Sequence, residues 1–434
     1  KMGVKDLALD ARYREQLDGV LAETVRVQDG PATAETTARL AELQAERLRL
    51  IDEQKKNLEI NHLFTIYGDA GSTFTNAMTG HDATTYIAAL PPQNLEMFFW
   101  VEADRLQNCI FRQFHAEKDV VREERRMYEN RPGALFGEAV QRAIFGSHPY
   151  AHPILGYHED LRVLDRQELR AFFDTYYAPD NAVLMIAGDV EPDQVFELAE
   201  RYFGWMPAAT VERPRIPILR IPRSGEVRMQ GSGKGRTAVD LYFRVPAAGT
   251  EEALAITLLG MALGDEEGAL FQDLVEQKKA AVSLSANYDA RKYGGVLGIS
   301  AQLAPGASHD DVERRIWKAV ESFRDAPLGD DAMEDLRRRY RASVLGSVRS
   351  DMRVGFMIMR REMTGSWRDI DRDLGRVKTL PAKALQGIAL DYLVPENVVV
   401  THYTQDEAAV ELEGASAPLP GHLAEARPGA AAGK

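Results

Sequence analysis

Apolar positions in the first 60 residues recur with helical spacing. Tyr13, Leu17, Val20 and Leu21 lie on one face, and Leu40, Leu43 and Leu50 resume the pattern after a break at Asp29-Gly30-Pro31. This predicts an αα-hairpin over 1–62, either an ordinary surface hairpin or an arm that docks a partner. Beyond it the period falls to two. Thr73, Thr75, Ala77 and Thr79 alternate with Ser72, Phe74, Asn76 and Met78, the pattern of a strand. Thr237–Val245, TAVDLYFRV, alternates in the same way. Between these strands, Ala116–Pro132 (AEKDVVREERRMYENRP) reads as one amphipathic helix rich in carboxylates.

Glu117 and Glu124 are seven residues apart, two helical turns, and so share a face. Val120 and Val121 lie between them, which predicts that this face turns toward a core and buries charge. Buried carboxylates need a metal, a cation or a hydrogen-bond network. The alternative is an exposed helix with Glu–Arg pairs, since Arg122, Arg125 and Arg126 are close by.

A longer pattern recurs. A helix, an aromatic, Pro, an acid, Asn and an apolar strand run through Glu168–Leu184 and again through Ala384–Val400, with Asn181 and Asn397 216 residues apart. Unless coincidental in a common helix-to-strand turn, this is an internal duplication. Each half would then be a helix-bearing α/β unit, and the reading of the whole is α+β: two homologous helix-covered, antiparallel-rich sheet domains with the N-terminal hairpin inserted in the first. Expected limits are 63–208 for the first domain, 209–225 for a Pro- and Arg-rich linker, 226–410 for the second domain and 411–434 for a disordered tail.

Several motifs stand in one order: Gly71–Thr79 with Asn76-Ala77, Asp82–Pro91, Glu102–Leu106, the helix with Glu117 and Glu124, His148-Pro149-Tyr150, Pro153–Gly156 and Tyr176–Ala182. In that order they resemble the pitrilysin/insulinase family of inverted-motif zinc peptidases, which includes the mitochondrial processing peptidases. The resemblance implies half of a clamshell peptidase that cleaves peptides or unfolded polypeptides with zinc-activated water. It implies Glu124 as a zinc ligand, Glu117 as its support, and Asn76 and Ala77 on the strand that pairs with substrate. It also implies a homo- or hetero-dimer with a related subunit.

The family's H-x-x-E-H motif, two histidine ligands and a general-base glutamate, is not found among the nine histidines here. His148 and His152 are close, but Pro149 and Pro153 argue against the regular helix such a pair needs. The motif is expected before Lys1 or on a separate polypeptide. The other reading is a natural protein that never had a complete site, a non-catalytic subunit that binds a peptidase partner or peptides. The family's substrate-orienting Arg and Tyr fall on Val275 and Val282, which donate no side-chain hydrogen bond.

Composition narrows the field. The formal charge of −13 disfavours nucleic-acid binding, and the single Cys109 excludes internal disulfides and thiolate clusters. No apolar run approaches the ~18 residues of a membrane span. The compartment stays open, with bacterial periplasm and cytoplasm both compatible. Gly231–Arg236, GSGKGR, resembles a phosphate loop, but a strand pattern follows it where a helix would be required.

Overall fold

The computed structural model describes residues 3–59, 61–221 and 225–406. The expected tail 411–434 and residues 222–224 of the expected linker lie outside the described residues. The chain divides into two compact units: Lys1–Met127 with Ile154–Pro214, and Tyr128–Pro153 with Arg215–Lys434.

In the first unit, α1 (Leu7–Gln28) and α2 (Ala34–Asn57) form the predicted hairpin. Asp6 starts α1 by accepting from the amides of Ala8 and Leu9 at 2.8 and 3.0 Å. Thr33 and Thr36 cap each other at the start of α2, so each helix begins with a side-chain cap on its first turn. Leu17, Val20, Leu43, Leu50 and Ile51 form the buried seam. Strands β1 (Phe74–Thr79) and β2 (Thr84–Ala89) make an antiparallel two-stranded sheet. Helix α3 (Phe114–Glu129) follows, and the division between units falls in its last turn. Helix α4 (Ala134–Phe145) belongs to the second unit, and α5 (Arg166–Tyr176) returns to the first. The apolar run after Asn181 is not a strand. Val183 and Leu184 are 63% and 43% exposed, and among the described residues no strand edge pairs with them.

The second unit is built on five strands: β3 (Val227–Gly233), β4 (Ala238–Val245), β5 (Ala281–Ala290), β6 (Gly295–Leu303) and β7 (Val398–Gln405). Their order is β3-β7-β4-β6-β5, antiparallel except for the β3–β7 pair. The alternation predicted for β4 holds. Val239, Leu241 and Phe243 are fully buried in an apolar core, and Asp240, Tyr242 and Arg244 take the opposite face. Helices α6 (Ala253–Leu263), α7 (His309–Asp325) and α8 (Ala382–Tyr392) supply Leu258, Ile316 and Leu385 to that core.

Helix α4 packs on the opposite face. The Arg244 guanidinium donates to the carbonyls of Ala143, at 2.9 Å, and Ile144, capping the end of α4. Close approach explains the glycines that resemble a phosphate loop. A Cβ on Gly231 would stand 2.6 Å from the Phe136 ring, and one on Gly233 2.5 Å from the Tyr403 hydroxyl. Gly231 and Gly233 end β3 and lead through a short turn to β4, so no helix N-terminus is present to hold a phosphate.

The repeated turn is reproduced in detail. Pro179–Asn181 and Pro395–Asn397 are both single 3₁₀ turns. Asn181 Nδ2 donates to Tyr176 O at 2.9 Å, and Asn397 Nδ2 donates to Tyr392 O at 2.8 Å. Asn397 is fully buried and also donates to Arg244 O at 2.8 Å, whereas Asn181 is exposed. Asn397→Ala would leave two carbonyls without this donor and should cost about 2–4 kcal/mol. Asn181→Ala should cost under about 1 kcal/mol. Urea unfolding of the two variants measures the asymmetry, and equal losses would contradict it.

Candidate functional site

Helix α3 carries the two glutamates, and the structure corrects which face it buries. Phe114, His115 and Arg125 are buried, while Glu117, Val120 and Glu124 are exposed, Val120 by 50%. Glu117 and Glu124 share a face, as their spacing requires, but that face is turned away from the packed side. The reason lies in what the other face binds. His115 Nε2 lies 3.0 Å from Asp18 Oδ1 of α1, and Arg47 of α2 pairs with Asp119 at 2.6 Å. The Lys118 ammonium donates to the carbonyls of Arg162 and Leu164 at 2.9 and 2.7 Å. Hydrogen bonds to the hairpin and to the segment around Arg162 and Leu164 thus decide the orientation, not the two valines.

Among the described residues of this unit the buried carboxylate is Asp10 on α1, fully buried and held by Arg14 and Arg112, each at 3.1 Å. Sequence reasoning missed it, because its partner Arg112 is 102 residues away. Asp18 shows the same balance. Burial works to raise its carboxyl, but hydrogen bonds from Arg166 and His115 outweigh burial and hold it below the usual range. Burial pushes His115 below an ordinary histidine despite the pull of Asp18.

Strand β1 pairs only with β2 among the described residues, so its other edge is open. Gly80 N donates to Ala83 O at 2.9 Å across the turn. By alternation, the amides of Phe74, Asn76 and Met78 then face β2, and those of Thr75 and Ala77 face the open edge. The Ala77 amide confirms this parity, because it donates to the neighbouring Asn76 Oδ1 at 2.8 Å. Asn76 and Ala77 are both exposed. Asn76, Ala77, Glu117 and Glu124 therefore lie in one unit, on an open edge and an exposed helix face. No hydrogen bond joins the strand pair to the glutamates among the described residues.

A zinc site takes at least three protein ligands. Helix α3 offers Glu124 with Glu117 beside it. Among the described residues, the side chains grouped closely enough to share a cation are Asp310, Glu313 and His402, in the second unit. There Glu313 is already engaged, by Arg228 at 2.5 Å and by His402 Nε2 at 2.7 Å. The described residues do not by themselves complete a zinc site. His148 is not a ligand candidate, since both its nitrogens are used. Nδ1 accepts from Tyr150 N at 3.2 Å, so Nε2 donates to Pro217 O at 2.9 Å. Val275 packs against the core of its unit, and Val282 is 51% exposed at a bulge in β5. Neither supplies a hydrogen-bond donor from its side chain.

Comparison with known proteins gives a consistent picture. Residues 164–340 match the model of the peptidase M16 inactive domain, a segment that does not include Glu117 or Glu124. An uncharacterized zinc protease of Mycobacterium tuberculosis is 30% identical over 248 residues, 55% of this chain and 55% of that protein. The chain thus spans about half the length of the curated relatives it matches. The crystal structure of a protease from Helicobacter pylori superposes with a TM-score of 0.71 at 20% identity, covering 79% of this chain and 84% of that one. Pitrilysin superposes with a TM-score of 0.62 at 18% identity, covering 80% of this chain and 38% of pitrilysin. Among the described residues no helix is long and apolar enough to cross a membrane.

The anchoring of α3 has a pH signature. Burial, and then the nearby Arg122, pull the Lys118 ammonium from 10.5 down to about 8. Between these values the unfolded chain holds more protons than the folded one, so this group's contribution to stability rises with pH across that window. Lys118→Met should remove the rise. The wild-type minus variant difference in unfolding free energy should climb from pH 8 to pH 10.5. A difference that stays flat or falls would refute the burial of this charge.

Proposed function

On the premise that the chain belongs with the M16 peptidases, the pitrilysin/insulinase family, we propose that it contributes one carboxylate ligand and the substrate-pairing strand to a zinc peptidase site. Glu124 is the ligand and Glu117 its support. The histidines and the general base come from outside these 434 residues. The substrates are peptides or unfolded polypeptides, and a related subunit completes the assembly as a homo- or hetero-dimer. One observation carries this reading: α3 holds Glu117 and Glu124 together on an exposed face, without ion-pair partners among the described residues, in the unit that also has an open strand edge.

The edge suits an extended peptide. The outward amides of Thr75 and Ala77 alternate with inward ones, so a peptide adding as a strand would bond to main chain and be selected by shape more than by sequence. Asn76 Oδ1 holds the Ala77 amide until such a strand replaces it. A second reading keeps the fold and the edge without catalysis, as a subunit that binds peptides or an active partner. The absence of H-x-x-E-H from these residues, and the valines at 275 and 282, favour that alternative.

Metal analysis separates the two. The 434-residue chain alone should hold zinc weakly and below stoichiometry, since one ligand and its neighbour do not make a site. In the assembled peptidase, Glu124→Gln should abolish zinc retention. Glu117→Gln should retain more metal and lose about 10- to 100-fold in activity. Tight stoichiometric zinc on the isolated chain, or full zinc in the assembled Glu124→Gln variant, would overturn the assignment. An assembly that binds peptides and carries no zinc would establish the non-catalytic alternative.

Edge pairing has its own test. Thr75→Pro removes an outward amide from a strand edge, where proline is tolerated. Peptide affinity measured by fluorescence anisotropy should fall, with the thermal midpoint close to that of the parent. Unchanged affinity would exclude this edge as the docking strand.

A further inference from the structure

The second unit holds a cavity that plays no part in the peptidase reading. It encloses about 530 Å³ between α4 and the face of the sheet opposite the core. Its floor is one cross-strand row: Ser285, Ser300, Asp240 and Thr401 stand opposite one another on β5, β6, β4 and β7. In the next row Gly298 stands between Asn287 and Tyr242 and leaves a depression. Phe136, Val140 and Ile144 of α4 supply an apolar wall.

Asp240 is the charge at the centre of the floor. Its carboxylate accepts from the hydroxyls of Ser300 and Thr401, at 2.5 and 2.9 Å. Both donors are neutral, and no Arg, Lys or His pairs with Asp240 among the described residues. The other charged residues lining the cavity are Asp289, Arg291 and Arg236. Arg291 pairs with Asp289 at 2.7 Å and lies 4.5 Å from the centre of the Phe145 ring. Arg236, exposed, donates to Gln302 at 3.0 Å. Burial pushes the Asp240 carboxyl above the ordinary range, because its two hydroxyl donors do not offset the loss of water. A cation entering the cavity would reverse that cost.

We propose that this cavity binds a primary alkylammonium group, with the nitrogen on Asp240 and the methylenes along Phe136, Val140 and Ile144. The three N–H donors of an ammonium match one carboxylate and two hydroxyl oxygens, the acceptors that the floor presents. The volume lies within the range of about 300–1,000 Å³ usual for small-ligand pockets, enough for a lysine side chain or a small free amine. Anions are opposed by the central carboxylate. Purely apolar ligands would leave it without a countercharge.

Calorimetric titration of the full chain with n-butylamine, and with n-butanol as its neutral counterpart, tests the proposal. Saturable one-to-one binding of butylamine is expected, with butanol at least tenfold weaker. Asp240→Asn should weaken butylamine at least tenfold. Gly137→Leu is a second variant that does not touch the carboxylate. Gly137 lines the cavity and a Cβ there meets nothing within 4 Å, so the longer side chain has room and obstructs the ligand. It should weaken butylamine to a similar degree, with circular dichroism unchanged. Nα-acetyl-lysine N-methylamide distinguishes the source. Binding as tight as butylamine identifies a lysine of a polypeptide as the occupant, and binding of butylamine alone identifies a free amine. No saturable binding of butylamine, or equal binding by the parent and both variants, would overturn the proposal.

Discussion

The two-residue period of β4 is the constraint on which the second unit depends. β4 lies between β7 and β6, so both of its edges are paired and its register is fixed from two sides. Val239, Leu241 and Phe243 fill the core on one face, and Asp240, Tyr242 and Arg244 serve the other. A slip of one residue would drive an aspartate and an arginine into the core and expose the apolar set. The same strand therefore holds α6, α7 and α8 on one side and, through Arg244, the end of α4 on the other. The core and the opposite polar face are two consequences of one alternation.

In the first unit, charged and polar pairs orient α3. The helix lies against the hairpin through His115–Asp18 and Arg47–Asp119, with Asp10 fully buried between Arg14 and Arg112. Pairs of this kind contribute modest net stability, but breaking one member leaves a buried charge uncompensated. They are consequently strong determinants of orientation. That is why Glu117 and Glu124 stay on the exposed face: the groups of α3 that bind the hairpin lie on the other side.

Much of the fold could be read from short-range pattern. The hairpin with its break at Asp29–Gly30, the β1 and β4 strands, and the paired turns at Asn181 and Asn397 all depend on residues within a few positions of one another. The failures came from long-range partners. Val120 and Val121 suggested a buried face, and the contacts that decided otherwise come from residues as far away as Asp18 and Arg47. Val183 and Leu184 have strand composition, but a strand exists only where another edge satisfies its amides. By chain position α4 falls within 63–208, the span expected for the first domain. Its packing against Arg244 and the sheet places it with the second unit. The row containing Asp240 needs four strands in register, which no single stretch of sequence announces.

The Asn76 side chain has a further consequence for the free chain. An uncovered strand edge is a template on which a second molecule can add, and repeated addition leads to aggregation. By accepting from the Ala77 amide, Asn76 removes one donor from that template and leaves a carboxamide standing over the edge. Any strand that adds here, from a substrate or from a second copy, must first displace that bond to reach the Ala77 amide.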